Sequence, residues 1–304
     1  MKKLLFIYNP TAGRGLIRQN LFDIFDVFSE YGYDIIAHPT RGTLDAFNAA
    51  EAVDNDKNRA DIIVVSGGDG TLGEVIKGVM SSEVDTPLGY IPAGTMNDFA
   101  ASHRIPLNMI ESARIVMTGT AKRYDIGRLD TKTSFEYFTY VAAFGAFANV
   151  SYETSRQMKN IFGVFAYMMK GVSTIGSIKP FHLTVSHDGI NETDDFLFGM
   201  AANATSVGGM KGVTGDHVSL SDGIFECVFI RAVPPSQVAA LINSVISLNF
   251  ESPYIYTFKT AKLTIKAETP LPFTLDGERG GEHDVLTIEC IKEAISLIVS
   301  ENEI

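Results

Sequence analysis

Cysteine is nearly absent from this chain of 304 residues: Cys227 and Cys290 are the only two, each inside an apolar run. Their spacing fits no zinc site, and they read as small buried hydrophobes. Basic residues are scarce as well. Only 25 Lys and Arg face 36 Asp and Glu, giving a formal net charge of −11. That balance argues against nucleic acid as a partner and against tight electrostatic adhesion to anionic lipid. The stretch 232–250 lacks charge, but Pro234, Pro235, Gln237, Asn243, Ser244 and Asn249 interrupt it. It reads as a loop and a helix, not as a membrane span. Met1-Lys2-Lys3-Leu4 is too short and strand-like for a signal peptide, so a cytoplasmic location is expected. The six histidines show neither metal spacing nor a neighbouring nucleophile. Low-complexity tracts, internal repeats and a Walker A sequence are missing too.

What remains is an ordinary globular composition, 45% hydrophobic and 20% charged. The length favours two domains. Up to about residue 125 strand-like and helix-like segments alternate, the pattern of a parallel or mixed α/β sheet. Leu21, Ile24, Phe25 and Phe28 share one face of a helix over 16–31, and a strand over 33–38 ends near Thr40. Helices are also expected over 43–53 and 108–117. Beyond Tyr124 strands dominate, over 125–129, 137–144, 181–186, 196–202, 224–230, 255–267, 285–291 and 295–299. This is the pattern of a β-sandwich. The expected organisation is therefore an α/β domain over 1–125 and an all-β domain over 126–304, with the cleft between them as the expected ligand site. One helical stretch interrupts the second half: Met158, Ile161, Phe162, Phe165, Met168, Met169 and Val172 recur at helical spacing. Its apolar face suits either packing on the sheet or a place bordering an acyl-chain groove or touching the bilayer.

The densest information is in Gly67-Gly68-Asp69-Gly70-Thr71, which follows the apolar run Ile62-Ile63-Val64-Val65 and precedes a helical stretch. Glycines let backbone N–H groups approach an anion, and the helix directs its positive end to the same place. A carboxylate beside phosphates would repel them, and a divalent cation between the two resolves the conflict. Two further strand–turn–helix junctions carry Asn9-Pro10-Thr11-Ala12-Gly13-Arg14-Gly15 and Ala93-Gly94-Thr95-Met96-Asn97-Asp98-Phe99. In an open α/β sheet, ligands gather at the carboxyl ends of strands, so the three loops are expected to meet at one pocket.

In this order and spacing, NPTAGRG, GGDGTLGEV and PAGTMNDFA resemble the diacylglycerol kinase catalytic domain of soluble bacterial lipid kinases. The resemblance runs through the chain to Leu275-Asp276-Gly277-Glu278. NAD kinases and phosphofructokinases share GGDG, but not the other motifs. The resemblance implies an N-terminal nucleotide-binding α/β domain, a C-terminal β-sandwich that takes the lipid, and an active site in the cleft. It implies ATP as phosphate donor, Mg²⁺, and transfer to the free hydroxyl of diacylglycerol or a related lipid alcohol. The partners expected are nucleotide and a lipid reached by transient peripheral contact with the inner face of the membrane. Nucleic acid is not among them, and a homodimer stays open. An NAD kinase-like enzyme with a soluble acceptor and a non-catalytic nucleotide or lipid sensor are the alternatives.

The resemblance assigns nucleotide contacts to Asn9, Pro10, Thr11, Ala12, Gly13 and Arg14, to Thr40, to Ser66, Gly67, Gly68, Asp69, Gly70, Thr71 and Leu72, and to Thr95. Arg14 suits a phosphate contact or a solvated loop position. Asp69 is expected to act through nucleotide-bound Mg²⁺. Asn97 and Asp98 suit a helix start as well as a site, and the family motif favours the site. Gly73 stands where relatives usually carry Asn. Glu278 is assigned as general base, with Asp276, Glu282 and Asp284 as rivals that only the resemblance sets aside. It also implies a second, structural Mg²⁺ held by the Ser219 and Ile224 carbonyls and the Asp222 carboxylate, with Asp125 joining through water. Ser219 and Ser221 depart from the usual Lys and Asp there.

Overall fold

The computed structural model describes residues 2–13, 15–54, 59–82, 85–145, 179–207, 210–211, 218–247 and 250–301. Arg14 and the methionine-rich stretch 158–172 lie outside the described residues. The chain divides into two compact units, Met1–Asp125 with Glu293–Ile304, and Ile126–Lys292. The expected second domain ran on to residue 304, whereas Glu293 onward belongs with the first unit.

The first unit is built on the parallel strands β1 (Lys2–Tyr8), β2 (Tyr33–Pro39), β3 (Ile62–Gly67) and β4 (Leu88–Pro92), in the spatial order β2-β1-β3-β4. The end of the chain joins its edge, Leu297 pairing with Leu88. Leu4 and Phe6 of β1 and Ile62 and Val64 of β3 enter one apolar layer. Their neighbours Leu5, Ile7, Ile63 and Val65 are just as buried on the opposite face, because side chains alternate along a strand. Helices α1 (Ile17–Glu30) and α5 (Met109–Thr118) cover the first face. Phe25 and Phe28 of α1 meet Phe6 edge-on at 5.9 and 5.5 Å. Asn108 starts α5 by accepting from the N–H groups of Ile110 and Glu111, which leave the first helical turn without intrahelical partners. Helices α2 (Asp45–Glu51) and α3 (Asp69–Ser82) pack on each other and against β1 and β3. The short α4 (Asp98–Ser102) follows β4. The connection from β1 leads to β2 on one side and that from β3 to β4 on the other, so the strand order reverses between β1 and β3. Loops at such a reversal leave a crevice at the strands' carboxyl ends.

The second unit is antiparallel. Its described strands run from β5 (Thr120–Thr131, which enters it at Ile126), β6 (Phe135–Phe138) and β7 (Val141–Gly145) to β8 (Phe181–His187) and β9 (Ile190–Ala202). The short hairpin β10 (Ser206–Val207) and β11 (Met210–Lys211) leads to β12 (Phe225–Arg231), β13 (Ile255–Thr260), β14 (Lys262–Leu275) and β15 (Glu278–Val299). Strand β7 pairs with β9 and β14, and so does β8, at other residues of the same two long strands. The circuit β7-β9-β8-β14 is thereby closed. Phe144, Phe196, Phe225, Phe229 and Phe273 fill one side of the sheet. Val141, Phe198, Met200, Val228 and Ile230 face the other, covered by helix α6 (Val238–Ile246).

The segments expected as single strands over 137–144 and 255–267 are each broken. The first stops at Thr139 and Tyr140, whose N–H groups go to the Asp276 carboxylate rather than to a neighbouring strand. The second breaks at Ala261, where the chain leaves β12 and takes up β8 and β15 as partners. The runs over 285–291 and 295–299 are one strand, with the left-handed residue Glu293 between them (φ 52°).

Two glycines of α3 make opposite demands. A Cβ on Gly78 would lie 2.5 Å from the Phe47 carbonyl and 2.9 Å from the Ala50 Cβ, whereas one on Gly73 meets nothing within 4 Å. Gly73→Ala is expected to stabilise the protein by roughly 0.5–1 kcal/mol through helix propensity. Gly78→Ala should instead cost about 1–3 kcal/mol by forcing α2 and α3 apart. Urea denaturation of the two variants checks the opposite signs.

Candidate active site

The loops after β1, β3 and β4 meet backbone to backbone. Gly13 is left-handed (φ 55°), and a Cβ there would lie 2.4 Å from the Ala93 carbonyl oxygen. A Cβ on Gly94 would lie 2.6 Å from the Gly68 Cα. Side chains at these positions would push the three loops apart, which explains glycine in each motif before any ligand is considered. Polar bonds complete the junction. The Asn9 N–H donates to the Ser66 carbonyl (2.8 Å), and the Asn9 amide reaches the Thr71 hydroxyl (3.4 Å). Ala93 N–H donates to the Gly67 carbonyl, and Thr40 N–H to the Tyr8 carbonyl.

Asp69 opens α3, yet its carboxylate reaches across to the next loop. Its two oxygens accept from the N–H groups of Asp98 (3.3 Å) and Phe99 (3.2 Å), the first turn of α4. Two helix N-termini therefore converge on one carboxylate, a favourable arrangement for negative charge. Asp98 itself is buried, with 2% of its surface exposed. Asn97 is left-handed (φ 55°), and its side-chain amide closes its own loop, accepting from Gly94 N–H (2.9 Å) and donating to the Gly94 carbonyl (3.1 Å). Its placement is that of a loop brace. Leu72 is fully buried, and its N–H is bonded to the Gly68 carbonyl, so neither group presents itself to a ligand. Thr11, Gly13, Gly70 and Thr95 are exposed along the junction; Pro10, Ala12 and Thr71 are half-buried, and Ser66 is buried with its hydroxyl unpartnered.

In the second unit Asp276 and Gly277 form the two-residue turn between β14 and β15, both left-handed (φ 52° and 81°), as a type I′ hairpin requires. The Asp276 carboxylate accepts from the N–H groups of Thr139 (2.6 Å), Tyr140 (2.9 Å) and Val141 (3.1 Å) and from the Thr139 hydroxyl (3.0 Å). Burial raises its pKa, and these donors pull it back. Among its rivals, Glu282 pairs with Arg279 and Asp284 with Lys132. Glu278 is exposed at the start of β15, and among the described residues its carboxylate has neither ion pair nor hydrogen bond. Ser219, Asp222 and Ile224 share the turn before β12, where the Asp222 carboxylate accepts from Ile224 N–H (3.1 Å). Asp125 is buried in the first unit and accepts from Glu293 N–H (2.7 Å).

Sequence reasoning missed His103. It is buried, stacks on Phe99 with ring centroids 3.9 Å apart, and bonds through Nδ1 to the Phe99 carbonyl (2.9 Å). Burial lowers its pKa to about 4. The one signal available was its position four residues after Phe99, one helical turn on.

Mg²⁺ fits this donor set in one respect. Among the described residues no three His, Cys, Asp or Glu side chains form a metal cage. Mg²⁺ bound with a nucleotide needs none, because one carboxylate, phosphate oxygens and water suffice.

Asp276→Asn replaces an acceptor oxygen with an NH₂ group facing backbone donors. It is expected to cost about 1–3 kcal/mol of stability in urea denaturation. His103 gives a pH-dependent term. Its folded pKa, about 4, lies below its ordinary 6.5, so between these values the unfolded chain binds the extra proton. Stability is therefore fully present above pH 6.5 and is lost as pH falls toward 4, by up to about 1.4 kcal/mol per pH unit. Denaturation at stepwise lower pH should show this slope in the parent and not in His103→Phe; identical slopes would remove His103 as its source.

The diacylglycerol kinase catalytic domain family matches residues 3–129, and the YegS C-terminal NAD kinase beta sandwich-like domain family matches residues 140–299. The chain is 29% identical over 283 residues to a diacylglycerol kinase of Bacillus subtilis (strain 168), covering 92% of this chain and 91% of the relative. It is 29% identical over 282 residues to one from Staphylococcus aureus (strain JH9), covering 92% and 87%. Two solved structures from Bacillus anthracis str. Sterne have the same fold. One, described as a candidate diacylglycerol kinase, has a TM-score of 0.82 at 24% identity and covers 100% of this chain and 97% of that one. The other, described as a diacylglycerol kinase, has a TM-score of 0.76 at 22% identity and covers 100% and 98%. With one family's catalytic domain in its first half and the YegS-type domain through its second, this chain belongs to the diacylglycerol kinase catalytic-domain family.

Proposed function

We propose that this protein is an ATP- and Mg²⁺-dependent lipid kinase that phosphorylates the free hydroxyl of diacylglycerol, or of a related lipid alcohol, to give phosphatidate or its analogue. The observation that carries the reading is the junction of three glycine loops around Asp69, at the carboxyl ends of parallel strands, in a chain whose relatives are named diacylglycerol kinases.

In this reading the exposed loop residues Thr11, Gly13, Gly70 and Thr95 face the nucleotide, and Asp69 is the carboxylate that holds its Mg²⁺. Bound with ATP, Mg²⁺ neutralises charge on the phosphoryl oxygens. Glu278 takes the proton of the acceptor hydroxyl as the new oxygen–phosphorus bond forms. Asp276 is excluded from that role because four hydrogen bonds already occupy its carboxylate, and it acts as the brace of the hairpin that carries Glu278. The turn holding Ser219, Asp222 and Ile224 takes the structural cation. Among the described residues no helix is long and apolar enough to cross a membrane. With a net charge of −11, access to lipid is by brief peripheral contact.

Incubating the protein with labelled ATP, Mg²⁺ and a panel of lipids in mixed micelles tests the reaction. Label is expected in diacylglycerol or a related lipid alcohol. Label only in a soluble acceptor such as NAD would replace this reading with that of an NAD kinase-like enzyme. For the base, Glu278→Gln is expected to leave the KM for ATP nearly unchanged. The same substitution should lower kcat by roughly 10²–10⁴-fold. Full activity in Glu278→Gln would take Glu278 out of the mechanism.

A further inference from the structure

Four aromatic rings run in series through the first unit. Tyr90 meets Phe99 edge-on at 6.0 Å, Phe99 stacks on His103 at 3.9 Å, and His103 meets Tyr124 edge-on at 4.5 Å. Tyr90, Phe99 and His103 are buried, with 1%, 1% and 5% of their surfaces exposed. The series touches the site at two points. At one, the Tyr90 hydroxyl donates to the Gly67 carbonyl (3.1 Å), at the root of the loop that carries Asp69. At the other, Phe99 donates its N–H to the Asp69 carboxylate (3.2 Å), while its carbonyl receives the bond from His103 Nδ1 (2.9 Å). Phe99 is thus held through its ring, its N–H and its carbonyl at once.

The arrangement matters because α4 has five residues. A helix that short does not hold its own shape in water, so its N–H groups are only as fixed as the packing around it. The two bonds it gives Asp69, at 3.2 and 3.3 Å, lie at the long end of the range for N–H···O bonds. A small displacement of α4 would break both. Burial keeps His103 neutral near neutral pH, so one ring nitrogen carries the proton that the Phe99 carbonyl accepts.

We propose that the Tyr90–Phe99–His103 column is a positioning device for Asp69, fixing the N-terminus of α4 and, through it, the carboxylate that holds nucleotide-bound Mg²⁺. The proposal rests on the reading that Asp69 binds that metal. The three side chains are buried and act through the backbone of α4 and of the loop after β3.

The test uses two conservative variants and a measurement that requires no turnover. His103→Phe keeps the stack and removes the donor to Phe99, and Tyr90→Phe removes a single oxygen. Calorimetry measures the affinity for ATP with Mg²⁺ and with EDTA, and the ratio isolates the contribution of the metal. In each variant that ratio is expected to fall about fivefold, the order expected for one lost hydrogen bond, while metal-free ATP affinity holds. The Mg²⁺ concentration for half-maximal kinase activity should rise by a similar factor, with the KM for lipid unchanged. His103→Asn, which keeps a side-chain N–H near the Phe99 carbonyl, should recover part of the ratio. Should His103→Phe fail to fold, Tyr90→Phe decides by itself. A parental ratio in folded variants, with the ratio lost in Asp69→Asn, would overturn the positioning role and leave the Asp69 reading standing. A parental ratio in Asp69→Asn would overturn both.

Discussion

Two stretches of backbone without side chains meet where Gly68 approaches Gly94, and the arrangement of the first unit depends on that approach. The loop after β3 sits against the loop after β4 at a distance that a single Cβ would forbid. Gly13 brings the loop after β1 into the same contact. Once the backbones are this close, Asp69 can span from the start of α3 to the start of α4 with one short side chain. A larger residue at any of these positions would separate the carboxylate from both of its donors.

The second unit solves a different problem. Its central strands are buried on both faces, so a slip of one residue would exchange two complete sets of side chains. On β12 Phe225, Cys227 and Phe229 enter one layer while Val228 and Ile230 enter the other. Register is held by the closed circuit of β7, β9, β8 and β14 and by the Asp276 carboxylate, which ties the β14–β15 hairpin to the chain between β6 and β7. One acidic residue of the hairpin is thereby committed to structure, and the other, two positions on, is left exposed. Two carboxylates of one hairpin thus have opposite environments, Asp276 enclosed by donors and Glu278 open to solvent.

Much of the fold was legible in the sequence because it rests on local rules. Period-3.6 apolar residues marked α1, Asn108 marked the start of α5, and β-branched runs between turn residues marked β3 and most of the later strands. The three motif loops were readable for the same reason, each being a glycine-bearing turn between a strand and a helix. Boundaries failed where a strand changed partners, as at Ala261, or where backbone donors turned to a side chain distant in sequence, as at Thr139. Neither event leaves a local mark, because both depend on a partner more than a hundred residues away or on the choice between two neighbouring strands.

The sequence by itself determined that glycine loops, a carboxylate and helix starts would occur together at the ends of parallel strands, since each is a short-range consequence of residue type. Which acid of 276, 278, 282 and 284 would be committed to structure was decided only by tertiary contacts. Asp276 is bound because residues 139–141 come to it, and Glu282 and Asp284 are paired because Arg279 and Lys132 lie nearby. Asn97, whose chemistry suits a ligand site or a brace equally, is made a brace by the turn of its own loop back to Gly94, a local contact that residue type alone does not fix. His103 is the sharpest case. An isolated histidine carries no readable role, and only the stacking of Phe99 on its ring, with water excluded, gives it a fixed proton and a place behind Asp69.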